Sequence, residues 1–153
     1  MKYKKILFVC TGNTCRSPMA EAALKDELKK RKIKWYKISS AGLRAQPGSP
    51  MAEHAKSVLS REGLAFPADF RARQLTDKMV KDAYAVVCMT WEQMERFGGA
   101  TNVTCMYELS GREIADPYGQ DISAYFATLD AIRACLPDVI RKLNIKNQSK
   151  NNE

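Results

Sequence analysis

Cys10 and Arg16 bracket the stretch Cys10-Thr11-Gly12-Asn13-Thr14-Cys15-Arg16, which runs on into Ser17-Pro18. These residue types in this order could transfer a phosphoryl group. A cysteine thiolate can attack phosphorus, and an arginine can grip two phosphoryl oxygens through parallel hydrogen bonds, which lysine cannot match. Ser17 is placed to donate its hydroxyl to the thiolate. The residues between, Thr11, Gly12, Asn13, Thr14 and Cys15, would hold a phosphate-sized anion through backbone N–H groups before any side chain acts. Gly12 and Asn13 are types that tolerate the left-handed backbone such a cradle needs.

The elements around the stretch must position it. The apolar run Ile6 to Cys10 fits a strand buried on both faces, and Pro18, just inside an alanine-rich segment with Ser17 before it, gives a helix start. The loop therefore ends on a helix N-terminus, whose dipole favours an anion. Spacing alone would be weak, because Cys135 and Arg141 share it. That second pair lies in an amphipathic helical pattern with no glycine between, so no loop can form there. A nucleotide-binding loop is the nearest competitor, but it needs a second glycine followed by lysine, and neither follows Gly12.

Displacing a phosphoryl group also needs a proton donor for the leaving atom. Asp116 in Asp116-Pro117-Tyr118 is the candidate, with Pro117 stiffening the loop and Tyr118 offering an aromatic wall for a substrate side chain. An isolated Asp-Pro would more simply be a turn whose carboxylate caps local N–H groups. His54 could be a base, but a lone histidine among polar helix residues reads as a surface side chain.

The chain has 153 residues, 45% of them hydrophobic, which suits one domain over 1–145 with a frayed polar tail over 146–153. No signal-peptide region precedes the first strand and no apolar run approaches a membrane span, so a cytoplasmic protein is expected, with no membrane partner. Five cysteines without paired metal spacing, and one histidine, argue against a zinc site or a disulfide framework. The net charge of +8 is spread, with local density only at Lys29 to Lys37 and near the C-terminus. That suits a solvated basic face attracting acidic phosphorylated proteins, and not a nucleic-acid site.

Further along, Met19, Ala20, Ala23, Leu24 and Leu28 keep a helical stripe, and Trp35 to Ser40 reads as a second strand ending in Ser40-Ala41-Gly42. Pro50 opens a helix stopped by Gly63, and Thr76 caps a short helix to Asp82. Tyr84 to Met89 reads as the third strand, Trp91 to Phe97 as a short helix, and Val103 to Tyr107 as the fourth strand. A long closing helix carries Ile122 to Leu143, with a kink expected at Pro137. The alternation predicts an α/β three-layer sandwich, a central four-stranded parallel sheet with helices on both faces and the phosphate loop after the first strand. Ligands in such sheets bind beyond the carboxyl ends of the strands, where four loops would converge.

Taken together, Cys10 to Pro18, Ser40-Ala-Gly42, Ala72-Arg-Gln-Leu-Thr76 and Asp116-Pro-Tyr118 resemble, in order and spacing, the low-molecular-weight protein tyrosine phosphatases. The resemblance covers Lys4 to Leu143. It implies that Cys10 forms a phosphocysteine, that Arg16 clamps phosphate, and that Asp116 acts first as acid and then as the base for water. Asn13 and Ser40 would hold the loop's shape. It implies no metal and no cofactor, a phosphate or sulfate anion in the loop, a phosphorylated protein as substrate, and a monomer.

Three departures bear on specificity. Phe70 stands where many members have a histidine linked to the loop asparagine, so Asn13 needs another buttress. Gly119 stands where tyrosine-directed members often have a second aromatic residue. Thr14 stands where those members usually have an aliphatic residue, and the bacterial branch that resembles protein arginine phosphatases has threonine there. A hydroxyl at that place can serve a guanidinium, which favours phosphoarginine over phosphotyrosine. A thiol-linked arsenate reductase would need two relay cysteines after the third strand; Cys88 is early, and Thr90 and Phe97 occupy those places. A non-catalytic phosphate-binding module would be expected to lack Cys10, Arg16 or Asp116.

Overall fold

A computed structural model describes residues 2–148. Four strands, β1 (Lys4–Cys10), β2 (Tyr36–Gly42), β3 (Ala85–Cys88) and β4 (Val103–Cys105), form a parallel sheet in the order β2-β1-β3-β4. The helices are α1 (Arg16–Lys30), α2 (Glu53–Arg61), α3 (Asp77–Asp82), α4 (Trp91–Glu95), α5 (Met106–Ser110) and α6 (Ile122–Lys142). The expected α/β sandwich is present. The chain moves from β1 outward to β2 and then back across β1 to β3, so strand order reverses at the carboxyl end of β1, where Cys10 sits.

β1 is apolar on both faces because both are covered. Ile6 and Phe8 pack among α1, α2, α5 and α6 residues such as Leu24, Leu59, Met106 and Leu129. Leu7 and Val9 pack toward Val86, Cys88 and the α3 and α4 side chains Met79 and Met94. Ile6, Phe8 and Val9 are fully buried, each such side chain contributing about 1.5–3 kcal/mol. The site loop thus leaves a strand held from both sides.

The structure departs from the sequence reading at several places. The fourth strand ends at Cys105 and Met106–Ser110 is helical, because Cys105 Sγ accepts from the Glu108 amide as a cap and Gly111 ends the turn at φ 78°. Asp116 therefore follows α5 and not a strand. α2 begins at Glu53 and not at Pro50, since the Ala52 amide donates to Thr14 O and is the cap residue. α1 begins at Arg16 after Cys15, without a side-chain cap, because the Ser17 hydroxyl is engaged elsewhere. Gly12 lies outside the left-handed region, which only Asn13 enters in the loop, at φ 58°.

α6 is continuous through Pro137. Of the polar tail expected from 146, Asn147 accepts from the Lys34 amide at 2.8 Å and donates to Lys32 O at 2.9 Å, while residues 149–153 lie outside the described residues. Among the described residues no helix is long and apolar enough to cross a membrane.

Candidate active site

The sharp turn out of β1 is set by Asn13. It is fully buried, and its left-handed backbone turns its own N–H toward Cys10 Sγ at 3.3 Å. Its side chain fixes the rest of the network. Asn13 Oδ1 accepts from the Arg73 amide at 2.9 Å, which leaves Nδ2 to donate to Ser17 Oγ at 2.8 Å. With that lone pair taken, the Ser17 hydroxyl hydrogen is free to point at Cys10 Sγ, 2.9 Å away. The sulfur thus faces an amide and a hydroxyl donor.

The Arg73 amide is the buttress that Phe70 cannot supply. Arg73 also donates from Nε and Nη2 to Ser40 O at 3.3 and 3.1 Å. Ser40 therefore reaches the loop through its carbonyl, while its hydroxyl goes to Glu21 Oε1 at 2.7 Å. Gly42 closes the same corner: a Cβ there would stand 2.7 Å from Thr11 O and 3.0 Å from Gly12 C, so only glycine lets β2 approach the loop. The sequence marked Gly42 only as the end of the second strand, and nothing local signals this close approach.

The amides of Thr11, Gly12, Thr14 and Cys15 donate no hydrogen bond to any described residue. They meet the first turn of α1, whose leading N–H groups have no intrahelical partner. Converging amides, a helix N-terminus and a buried guanidinium make a site for a tetrahedral oxyanion. Arg16, 5% exposed, donates from Nη1 to Ile114 O at 3.0 Å, and its Nη2 lies 3.5 Å from Asp116 Oδ2. The Ile114 carbonyl locks the rotamer and leaves the Nε and Nη2 hydrogens for an anion.

Asp116 makes the turn contact weighed from sequence and still faces the loop. Its Oδ1 accepts from the Tyr118 amide at 3.1 Å in a local turn, and its Oδ2 faces Arg16. The carboxylate is half exposed and can reach a leaving group entering from solvent. Tyr118 is 74% exposed at the same rim. A cavity of about 260 Å³ beside the loop is lined by Thr11, Arg16, Arg44, Gln93 and Arg96. A much larger groove, about 1530 Å³, shares no residue with the loop and is not where this chemistry can occur.

Two second-rank residues escaped the sequence reading. Gln93 accepts at Oε1 from the Met89 and Thr90 amides and donates from Nε2 to Thr11 Oγ1 at 3.3 Å, joining the end of β3 to the loop. Its signal was legible, since Thr90 and Gln93 form a capping box. Tyr125 places its hydroxyl 3.5 Å from Cys15 Sγ, and burial pushes both the Cys15 thiol and the Tyr125 phenol upward, so both are protonated at neutral pH. His54 is exposed and packs edge-on against Tyr125. Burial drives the Cys88 thiol up to about 12, which makes it a poor redox relay.

The sequence profile of the family described as low molecular weight phosphotyrosine protein phosphatase matches residues 5–149. A protein-arginine-phosphatase of Geobacillus stearothermophilus is 37% identical over 91% of this chain and 95% of its own. Among solved structures, the low molecular weight protein tyrosine phosphatase of T. tengcongensis superposes with a TM-score of 0.84 at 32% identity, over 91% of this chain and 99% of that one. A Cys-to-Ser mutant of the YwlE arginine phosphatase, carrying a phosphorylated active-site serine, superposes with a TM-score of 0.83 at 29% identity, over 97% and 99% of the two chains.

Proposed function

The chain belongs to the low molecular weight phosphotyrosine protein phosphatase family and hydrolyses phosphorylated protein side chains, and we propose that Cys10 is its nucleophile, Arg16 its phosphate clamp and Asp116 its acid and base. The observation that carries this is the Cys10 sulfur set between the Ser17 hydroxyl and the Asn13 amide, at the mouth of a ring of unengaged N–H groups.

In the first step Cys10 Sγ forms a bond to phosphorus as the bond to the leaving oxygen or nitrogen breaks, and Asp116 gives its proton to that leaving atom. The negative charge spread over the equatorial oxygens is met by loop amides and by Arg16. In the second step water attacks phosphorus, Asp116 takes its proton, the S–P bond breaks and inorganic phosphate leaves. The phosphorylated serine in the arginine phosphatase neighbour supports a covalent route of this kind. Asp116→Asn is expected to slow hydrolysis about 100-fold where the leaving group is poor, and far less for an activated aryl phosphate that needs little protonation. Rates on a leaving-group series check this, and equal loss across the series would assign Asp116 to the turn alone.

We further propose phosphoarginine as the preferred substrate. Thr14 supports it: its side chain is half-buried on the loop, with Oγ1 3.7 Å from Cys15 Sγ and its carbonyl pinned by the Ala52 amide, and its hydroxyl would be available to a guanidinium entering the cradle. A threonine hydroxyl gives a polar leaving group a partner, while offering a phenol ring less apolar surface. Thr14→Ile is expected to lower kcat/KM on phosphoarginine peptides about tenfold and to keep or raise it on phosphotyrosine peptides. Parallel loss on both substrates would make Thr14 a packing residue. The phosphotyrosine reading has its own support in the exposed Tyr118 ring, which could stack on a phenol. The enzyme is proposed to act as a cytoplasmic monomer. All five cysteines are unpaired, as suits a reducing compartment.

A further inference from the structure

β2 is an edge of the sheet. The Lys4 amide donates to Trp35 O and the Leu43 amide to Cys10 O, so the odd-numbered residues of β2 bond to β1 and the even-numbered ones turn N–H and C=O outward. At the carboxyl end this outward edge is taken. Arg73 Nη2 holds Ser40 O at 3.1 Å, and Gly42 exchanges bonds with Arg73 O and the Leu75 amide, each 2.9 Å. At Tyr36 and Ile38 no described residue takes it.

That open stretch lies along the groove of about 1530 Å³. Leu28 and Ile33, from α1 and the turn after it, form one apolar wall, and Met79 and Ala83, on α3 and at its end, form the other. The groove is therefore the gap that a further strand would fill, its alternate side chains meeting the two walls in turn. Its lining carries eight basic residues and a single acid, Asp82, which is already bound to Lys78 at 3.0 Å. Among the described residues Lys5, Lys29, Lys32, Lys34 and Lys37 enter no salt bridge.

We propose that the free edge of β2, in the lysine-rimmed groove between α1 and α3, takes an extended acidic segment of a protein partner as a fifth strand. Charge complementarity selects the occupant. Edge lysines keep copies of a chain from pairing with one another, since two such rims repel. The same lysines attract a carboxylate-bearing strand, and the apolar walls and unpaired backbone groups reward a polypeptide over a nucleic acid. The occupied edge would end at Arg73, whose amide holds Asn13 of the phosphate loop.

The test uses the full chain and a fluorescein-labelled heptapeptide alternating glutamate with valine, followed by anisotropy at low salt. Replacing Lys34 and Lys37 together by glutamate is expected to weaken binding about tenfold or more, as is raising salt to screen the rim. Methylating alternate peptide nitrogens is expected to weaken it equally in the one register that pairs with Tyr36 and Ile38, and little in the other. Aryl phosphate turnover should be unchanged in the Lys34→Glu, Lys37→Glu protein. Binding indifferent to both charge reversal and methylation would overturn the proposal. So would tighter capture of a single-stranded oligonucleotide by the same lysines, a concentration-dependent dimer through this edge, or peptide binding only after removal of residues 149–153. The binding assay reads no turnover, so its failure leaves the catalytic assignment untouched.

Discussion

Cys10→Ser is expected to reduce steady-state turnover by about 10⁴-fold or more while leaving phosphate binding within a few-fold of the parent. A serine hydroxyl at this place keeps its neighbours, since Ser17 Oγ and the Asn13 amide can both bond to oxygen as they do to sulfur. It stays neutral at working pH, however, and cannot attack without a base. Among the described residues none is in contact with the sulfur, whose neighbours are the Asn13 amide and a Ser17 hydroxyl oriented by the Asn13 side chain. Anion affinity resides in loop amides and Arg16, none of which the substitution touches. The check is paired: aryl phosphate hydrolysis for the rate, and titration with inorganic phosphate or vanadate for the cradle. Appreciable turnover would remove Cys10 as nucleophile, and loss of anion binding would mean that the loop had collapsed.

The reach of sequence reasoning can be seen residue by residue. β1 and its loop were legible because an apolar run, a left-handed Asn13 and a proline in the first helical turn each act locally, although the helix starts two residues before Pro18. The partner of the Ser17 hydroxyl was legible too, but its direction is set through Asn13 by the distant Arg73 amide. α5 was not, because its cap is the Cys105 thiol, a residue type that gives no capping signal, and Val103 to Tyr107 keeps a strand-like pattern. Arg73 and Gly42 act across the chain: one buttresses Asn13 from sixty positions away, the other removes a side chain where two backbones meet. Gly12 shows the converse error. Glycine at a turn suggested left-handed backbone, yet Asn13 supplies it alone.

Arg16→Lys is expected to cost about 10³-fold in kcat/KM with every substrate and to weaken phosphate binding less than it slows hydrolysis. The guanidinium does two things that an ammonium cannot do at once. It is held by Nη1 on Ile114 O at 3.0 Å, and it keeps a parallel pair of N–H groups for the equatorial oxygens. A lysine would either satisfy the Ile114 carbonyl or reach the anion. At 5% exposure no water can make up the difference freely. The pair of hydrogen bonds fits the trigonal transition state better than the tetrahedral ground state, so the loss falls more on rate than on binding. Arg16 also stands 3.5 Å from Asp116 Oδ2, so the substitution should disturb where the acid sits. Combining Arg16→Lys with Asp116→Asn separates these effects: if the clamp acts mainly through the oxygens, the two losses multiply. If Arg16 acts mainly by holding Asp116, the double variant is no slower than Arg16→Lys alone. Near-normal turnover of the single variant would show that another cation, Arg44 or Arg96 in the adjoining cavity, carries the phosphate instead.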